Sequence, residues 1–132
     1  MPVLQRMADP IIPTPQDTQF LIQDTTNKTA SFNTPAADFG SGFSPGGLGK
    51  PVAGVVQVTV LDLVDGNETY SFVLQESSDN VTFTPAGASI SATAVGAVAV
   101  RGWVTKRYAR LALTISGTTP SITFKAWINP LP

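Results

Sequence analysis

The chain contains neither cysteine nor histidine. Without cysteine there is no disulfide framework and no thiolate chemistry. Without either residue, Ser–His and Cys–His nucleophile pairs cannot form, and zinc and copper lose their usual nitrogen and sulfur ligands. Charged residues make up only 13% of the chain, about half the share of ordinary globular proteins. The net charge of −1 gives no electrostatic reason to expect nucleic acid or an anionic membrane as partner. No stretch approaches the roughly 20 apolar residues that span a bilayer. Met1 to Pro15 lacks an apolar run long enough for a signal-peptide core, so synthesis in the cytoplasm is expected.

What is present is proline, glycine and alternation. Seven of the eleven prolines fall in the first 51 residues. Pro2, Pro10, Pro13 and Pro15 leave no room for an N-terminal helix. Residues 1–51 therefore read as an extended N-terminal arm and a Gly/Pro-rich loop. Within that arm, Gln19–Asp24 and Thr29–Asn33 can form short strands, and Asp38–Pro51, with five glycines, is the loop. Residues 52–132 read as a β-sandwich core.

In that second part, Val52–Leu61 places Val56, Val58 and Val60 on one face and Val55 and Leu61 on the other, the pattern of a central strand. Thr69–Glu76 alternates, with Tyr70, Phe72 and Leu74 inward. Val81–Thr84, Ala88–Ala94 and Ala97–Arg101 read as further, weaker strands. Tyr108–Ile115 places Leu111, Leu113 and Ile115 together. Ser121–Ile128 turns Ile122, Phe124 and Ile128 inward and Thr123, Lys125 and Trp127 outward. Short strands separated by Gly, Pro and Asn turns, with no helical period, predict an all-β jelly roll or two-sheet sandwich. The sequons at Asn27, Asn67 and Asn80 read as turn chemistry.

Sites for chemistry are few. Asp62, Asp65, Glu68 and Glu76 are the candidate carboxylates for a hydrolase pair, but solvated acids are ordinary around Asp65-Gly66-Asn67-Glu68. Asp62 and Asp65 lack EF-hand spacing for Ca²⁺. Gly49-Lys50 has Ser44 and Pro51 where a phosphate-binding loop needs Gly and Ser or Thr. No catalytic, cofactor-binding or metal-binding residue is predicted, and the expectation is a binding protein without a cofactor. The candidate interface consists of Trp127, Trp103, Tyr108, Arg107 and Arg110. Arg101, Lys106, Arg107 and Arg110 form the one basic cluster, suited to carboxylates on a protein partner rather than to nucleic acid. Trp127 has two readings. It is an outward interface anchor, or it is covered by the N-terminal arm or the second sheet.

Three stretches carry a family resemblance: Phe72-Val73-Leu74-Gln75-Glu76-Ser77-Ser78-Asp79-Asn80-Val81-Thr82-Phe83, Lys106-Arg107-Tyr108-Ala109-Arg110-Leu111, and Ser116-Gly117-Thr118-Thr119-Pro120-Ser121-Ile122. With Ser31 to Gly42, they make most of residues 25–128 resemble the capsid cement, or decoration, proteins of tailed bacteriophages. The resemblance is to the jelly-roll family first seen on a Bordetella podophage. It implies a structural protein on the outer surface of the virion that binds the major capsid protein and bridges neighbouring subunits. It also implies self-association, and two-fold symmetry makes a homodimer the first expectation, ahead of a trimer. Arg107-Tyr108-Ala109-Arg110-Leu111 also suits a carbohydrate-binding or tail-associated sandwich module, with Trp103, Tyr108 or Trp127 as stacking platforms.

Overall fold

A computed structural model of the chain describes residues 21–40 and 49–130. The predicted arm up to residue 20 and most of the glycine-rich loop, residues 41–48, lie outside the described residues. The strands follow the alternation of apolar side chains. They are β1 (Leu21–Lys28), β2 (Phe32–Asn33), β3 (Ala37–Asp38), β4 (Lys50–Leu61), β5 (Thr69–Ser77), β6 (Thr84–Pro85), β7 (Ile90–Ser91), β8 (Gly96–Val104), β9 (Tyr108–Ser116) and β10 (Ile122–Pro130). No helix occurs among the described residues.

Two antiparallel sheets result, ordered β1-β10-β4-β8 and β2-β9-β5-β6, with β3 also on β9 and β7 also on β5. The two short pairs are single strands interrupted in the middle. Pro35 has no N–H for the ladder between β2 and β3, and Thr34 compensates. The Thr34 amide donates to the Leu111 carbonyl, and the Leu111 amide donates to Thr34 Oγ1, both at 3.0 Å. Counting each interrupted pair once, the sheet orders become 1-8-3-6 and 2-7-4-5. That is the strand order of an eight-stranded jelly roll with two Greek keys.

The inner faces meet in one core. Val52, Val56 and Val58 of β4, Tyr70, Phe72 and Leu74 of β5, and Ile122, Phe124 and Ile128 of β10 are fully buried there. Phe72 and Phe124 meet edge-on across the sheets, with centroids 5.5 Å apart. At Gly54 a side chain would collide with Leu111, so glycine makes room for the leucine of the opposite sheet. Along one side the sheets are tied together: the Trp103 amide of β8 donates to the Ala86 carbonyl at 3.0 Å, just past β6. On the other side, edge strands β1 and β3 flank an opening of about 400 Å³ between Leu21, Ile22 and Phe39.

Three expectations change. The sandwich does not begin at residue 52. β1 pairs with β10 along its length, β2 and β3 pair with β9, and Ile22 belongs to the core, so residues 21–40 are part of the jelly roll. The prolines of residues 1–51 hid this, because the one within residues 21–40, Pro35, falls between β2 and β3. Val60 does not join Val56 and Val58 in the core. A bulge at Thr59 shifts the pairing from Phe124↔Val58 to Thr123↔Val60, which turns Leu61 inward and leaves Val60 53% exposed. Val81 to Phe83 is a turn rather than a strand, because the Asp79 carboxylate caps the amides of Val81 and Thr82.

Candidate interaction surfaces

The basic and aromatic cluster read along residues 101–110 does not form one surface. β8 belongs to the four-stranded sheet and β9 to the six-stranded sheet. The chain crosses between them at Thr105–Arg107. Arg101 and Trp103 therefore lie on one sheet, Tyr108 and Arg110 on the other. The crossing is fixed by Glu76, whose Oε1 accepts the Thr105 amide at 2.8 Å and the Thr105 hydroxyl at 3.3 Å.

On the six-stranded sheet the cations already have partners. Arg107 makes a two-pronged ion pair with Asp38, Nε to Oδ1 at 2.7 Å and Nη2 to Oδ2 at 2.9 Å. Asp38 also accepts the Gly40 amide at 2.8 Å. The Arg107 guanidinium, and then that amide, hold the Asp38 carboxyl below its usual range. Arg107 also lies 5.1 Å from the ring centre of Tyr108, which is half-buried. Arg110 donates to Gln75 at 2.9 Å and stacks over Phe83 at 3.8 Å. Partial burial lowers its pKa from the ordinary arginine value. These pairs stiffen the outer face of the sheet and leave Lys106 as an exposed neighbour in the crossing.

The two tryptophans occupy the outer face of the four-stranded sheet, and they differ. Trp103 is 61% exposed at the edge, beside a shallow groove of about 360 Å³ lined by Pro51, Ala86, Gly87, Arg101 and Gly102. Trp127 does point away from the inter-sheet core, as its alternation predicts. It is not exposed, however: it is 4% accessible, between Leu21 of β1 and Val55 of β4, with Lys125 5.4 Å from its ring centre. The expectation of an exposed anchor at Trp127 is therefore corrected, because the outer face of β10 is covered at this point. Alternation alone gives the direction of a side chain and not what lies over it.

One surface escaped the sequence reading. The loop between β4 and β5, residues 62–68, displays Leu63 and Val64 to solvent, Val64 at 88%, next to the exposed Val60. The loop is held on all sides. Buried Tyr70 donates its hydroxyl to the Asp62 carbonyl at 2.6 Å and accepts the Ser121 amide at 2.9 Å. The Asp62 amide donates to the Ser121 carbonyl at 2.9 Å. Asp62 caps the Val64 amide, Glu68 caps the Asp65 amide, and Thr119 donates to Asp65. Asn67 bonds both the amide and the hydroxyl of Thr118, the turn role expected of that sequon. Gly66 takes φ +78°, a conformation that favours glycine. The signal was the apolar pair Leu63-Val64 where a turn should be polar.

Three of the four candidate carboxylates share one loop and the fourth stands apart. Asp62, Asp65 and Glu68 cap one loop, and Glu76 holds the β8–β9 crossing in the six-stranded sheet's neighbourhood. Among the described residues no three acidic side chains gather where they could hold a metal ion. Comparison with protein-family models finds no match, and no curated protein matches the chain significantly.

Proposed function

We propose that this chain is a capsid cement protein that docks on the outer surface of an assembled phage shell and bridges neighbouring major capsid subunits. The observation that carries the reading is the pinned loop of residues 62–68. Its backbone is fixed before any partner arrives, and it holds Leu63 and Val64 in water. A pre-ordered apolar tip loses little conformational freedom on docking, which suits it to anchor a contact. The jelly-roll order and the sequence resemblance support the same reading. Binding that exists only on the assembled shell stabilises that shell by mass action, and paired copies add avidity.

The test is co-sedimentation of the purified chain with shells of the major capsid protein encoded in the same genome. Val64→Asp should weaken binding about thirtyfold, the hot-spot scale of roughly 2 kcal/mol. Unaltered binding of Val64→Asp and Leu63→Asp, or no binding of the native chain, would overturn the proposal.

A second reading rests on Trp103. An exposed indole beside a shallow groove with Arg101 is a stacking platform for a sugar. Glycan-array binding lost on Trp103→Ala, without any shell, would favour a carbohydrate-binding module.

A further inference from the structure

A sheet edge leaves backbone N–H and C=O groups unpaired, and a long, regular, uncharged edge is a template for another strand. The sandwich has four edges, β1 and β8 on one sheet, and β2 with β3 and β6 with β7 on the other. Three of them are blunted. The register of β1 on β10 is broken twice. β2 and β3 have two residues each and are separated at Pro35, and β6 and β7 have two residues each, with Pro85 in β6. β8 is different. It pairs with β4 over 9 residues without a register shift, and from Gly96 to Val100 it has neither charge nor proline.

The Trp103 amide shows which groups of β8 are free. It turns away from β4 to reach Ala86, and amides alternate along a strand, so those of Ala99 and Ala97 also point out of the sheet. Neither has a partner among the described residues, and both side chains are exposed. The open stretch ends before Arg101, whose carbonyl lies against Gly87. Two exposed apolar side chains stand beside it, Val95 just before β8 and Ile90 of β7, which packs along β8.

We infer that this edge takes β8 of a second copy of the chain, antiparallel and centred on Val98. Such a contact must be self-complementary, and this one is. Ala97 of each copy faces Ala99 of the other, so the open amides of both strands donate across the joint. A centre at Ala99 would need the edge that Gly87 covers, and a centre at Ala97 would need Val95, which precedes the strand. The two Val98 side chains, half-buried on the inner face, meet in the close, non-hydrogen-bonded position, where β-branched pairs stabilise a sheet. Arg101 faces Val95 of the other copy, so like charges are not opposed. The two four-stranded sheets become one continuous sheet, and Ile90 and Val95 lie at its seam. The pairing uses neither Leu63 nor Val64 and needs no shell, so its failure is distinct from failure of the shell contact.

The test is the mass of the full chain by light scattering and sedimentation at micromolar concentration. The native chain should run as two copies. Ala99→Pro removes a donor that β4 does not use and fills its place with the ring, so the fold is kept and dissociation should strengthen about tenfold or more. Ala97→Lys with Ala99→Lys sets lysine against lysine and should give single copies. Ala97→Lys with Ala99→Glu sets lysine against glutamate and should restore the pair. If Ala99→Pro fails to fold by circular dichroism, the contrast between the two charge variants decides. A monomeric native chain, an assembly of more than two copies, a folded Ala99→Pro that pairs like the native chain, or equal dissociation of the two charge variants would overturn the inference.

Discussion

The α-carbon of Gly102 lies against the carbonyl oxygen of Ala86, so closely that a Cβ at position 102 would sit 2.2 Å from that oxygen. The reverse contact is as tight: a Cβ on Gly87 would lie 2.3 Å from the Arg101 carbonyl oxygen. Both close approaches of backbone to backbone flank the Trp103 to Ala86 hydrogen bond that ties the two sheets together. Gly102→Ala should therefore destabilise the fold by about 3 kcal/mol, the upper range for overpacking a site that cannot give. Gly40→Ala, where nothing lies within 4 Å of the new Cβ, should cost about 1 kcal/mol for its left-handed backbone alone. Urea unfolding of the two variants checks the contrast.

Tyr70 links the core to the loop of residues 62–68. Tyr70→Phe leaves the Asp62 carbonyl and the Ser121 amide without their shared partner. A loss of about 1 kcal/mol, the lower end for orphaned groups, is expected because both are only partly buried. If the fixed loop carries the shell contact, the folded fraction of Tyr70→Phe should also bind shells more weakly than the native chain. Unfolding and co-sedimentation on the same variant measure the two effects.

The two tryptophans should separate sharply in stability. Trp127 is nearly inaccessible and Trp103 is largely exposed. Trp127→Ala is expected to cost about 3 kcal/mol, as for a buried aromatic, and Trp103→Ala to stay within about 0.5 kcal/mol of the native chain. Equal costs in thermal or urea unfolding would contradict these placements.

Acid should weaken the turn after β5. Asp79 accepts the amides of Thr82 and Val81 at 3.0 and 2.9 Å and the Ser77 hydroxyl at 2.8 Å. These bonds, led by the Thr82 and Val81 amides, lower its pKa from 3.8 to about 2. Between those values the unfolded chain binds the proton more readily than the folded one, so stability falls as the pH drops. The stabilisation is complete above pH 3.8 and is lost through about pH 2. Asp79→Asn should shrink the difference in unfolding free energy between pH 5 and pH 2.5, and an unchanged difference would refute the capping role. Asp38, held low by Arg107, adds acid sensitivity of the same sign that survives in this variant.

Strand direction was legible because side chains alternate with period two whatever the partner strand is. Tyr70, Phe72 and Leu74, Leu111 and Leu113, and Ile122, Phe124 and Ile128 are buried in the core as their alternation predicts. The role of Asp79 in its turn follows from short-range hydrogen bonding, which a few neighbouring residues decide, whereas Asn67 bonds Thr118, 51 positions away. The rest depended on pairing between distant segments. The bulge at Thr59 arises from the register of β4 on β10, and it alone puts Leu61 inside and Val60 outside. Residues 21–40 look like a proline-broken arm until β9 and β10 supply the hydrogen bonds that make them strands. Arg101 and Arg110 stand nine positions apart, yet the crossing after β8 sends them to different sheets. The sequence by itself determined the all-β class and most of the inward faces, since these rest on residue type and local period. Only the tertiary structure decided that Trp127 is buried between Leu21 and Val55, what pins Leu63 and Val64 in water, and which cations are already paired, because each depends on a partner dozens of residues away.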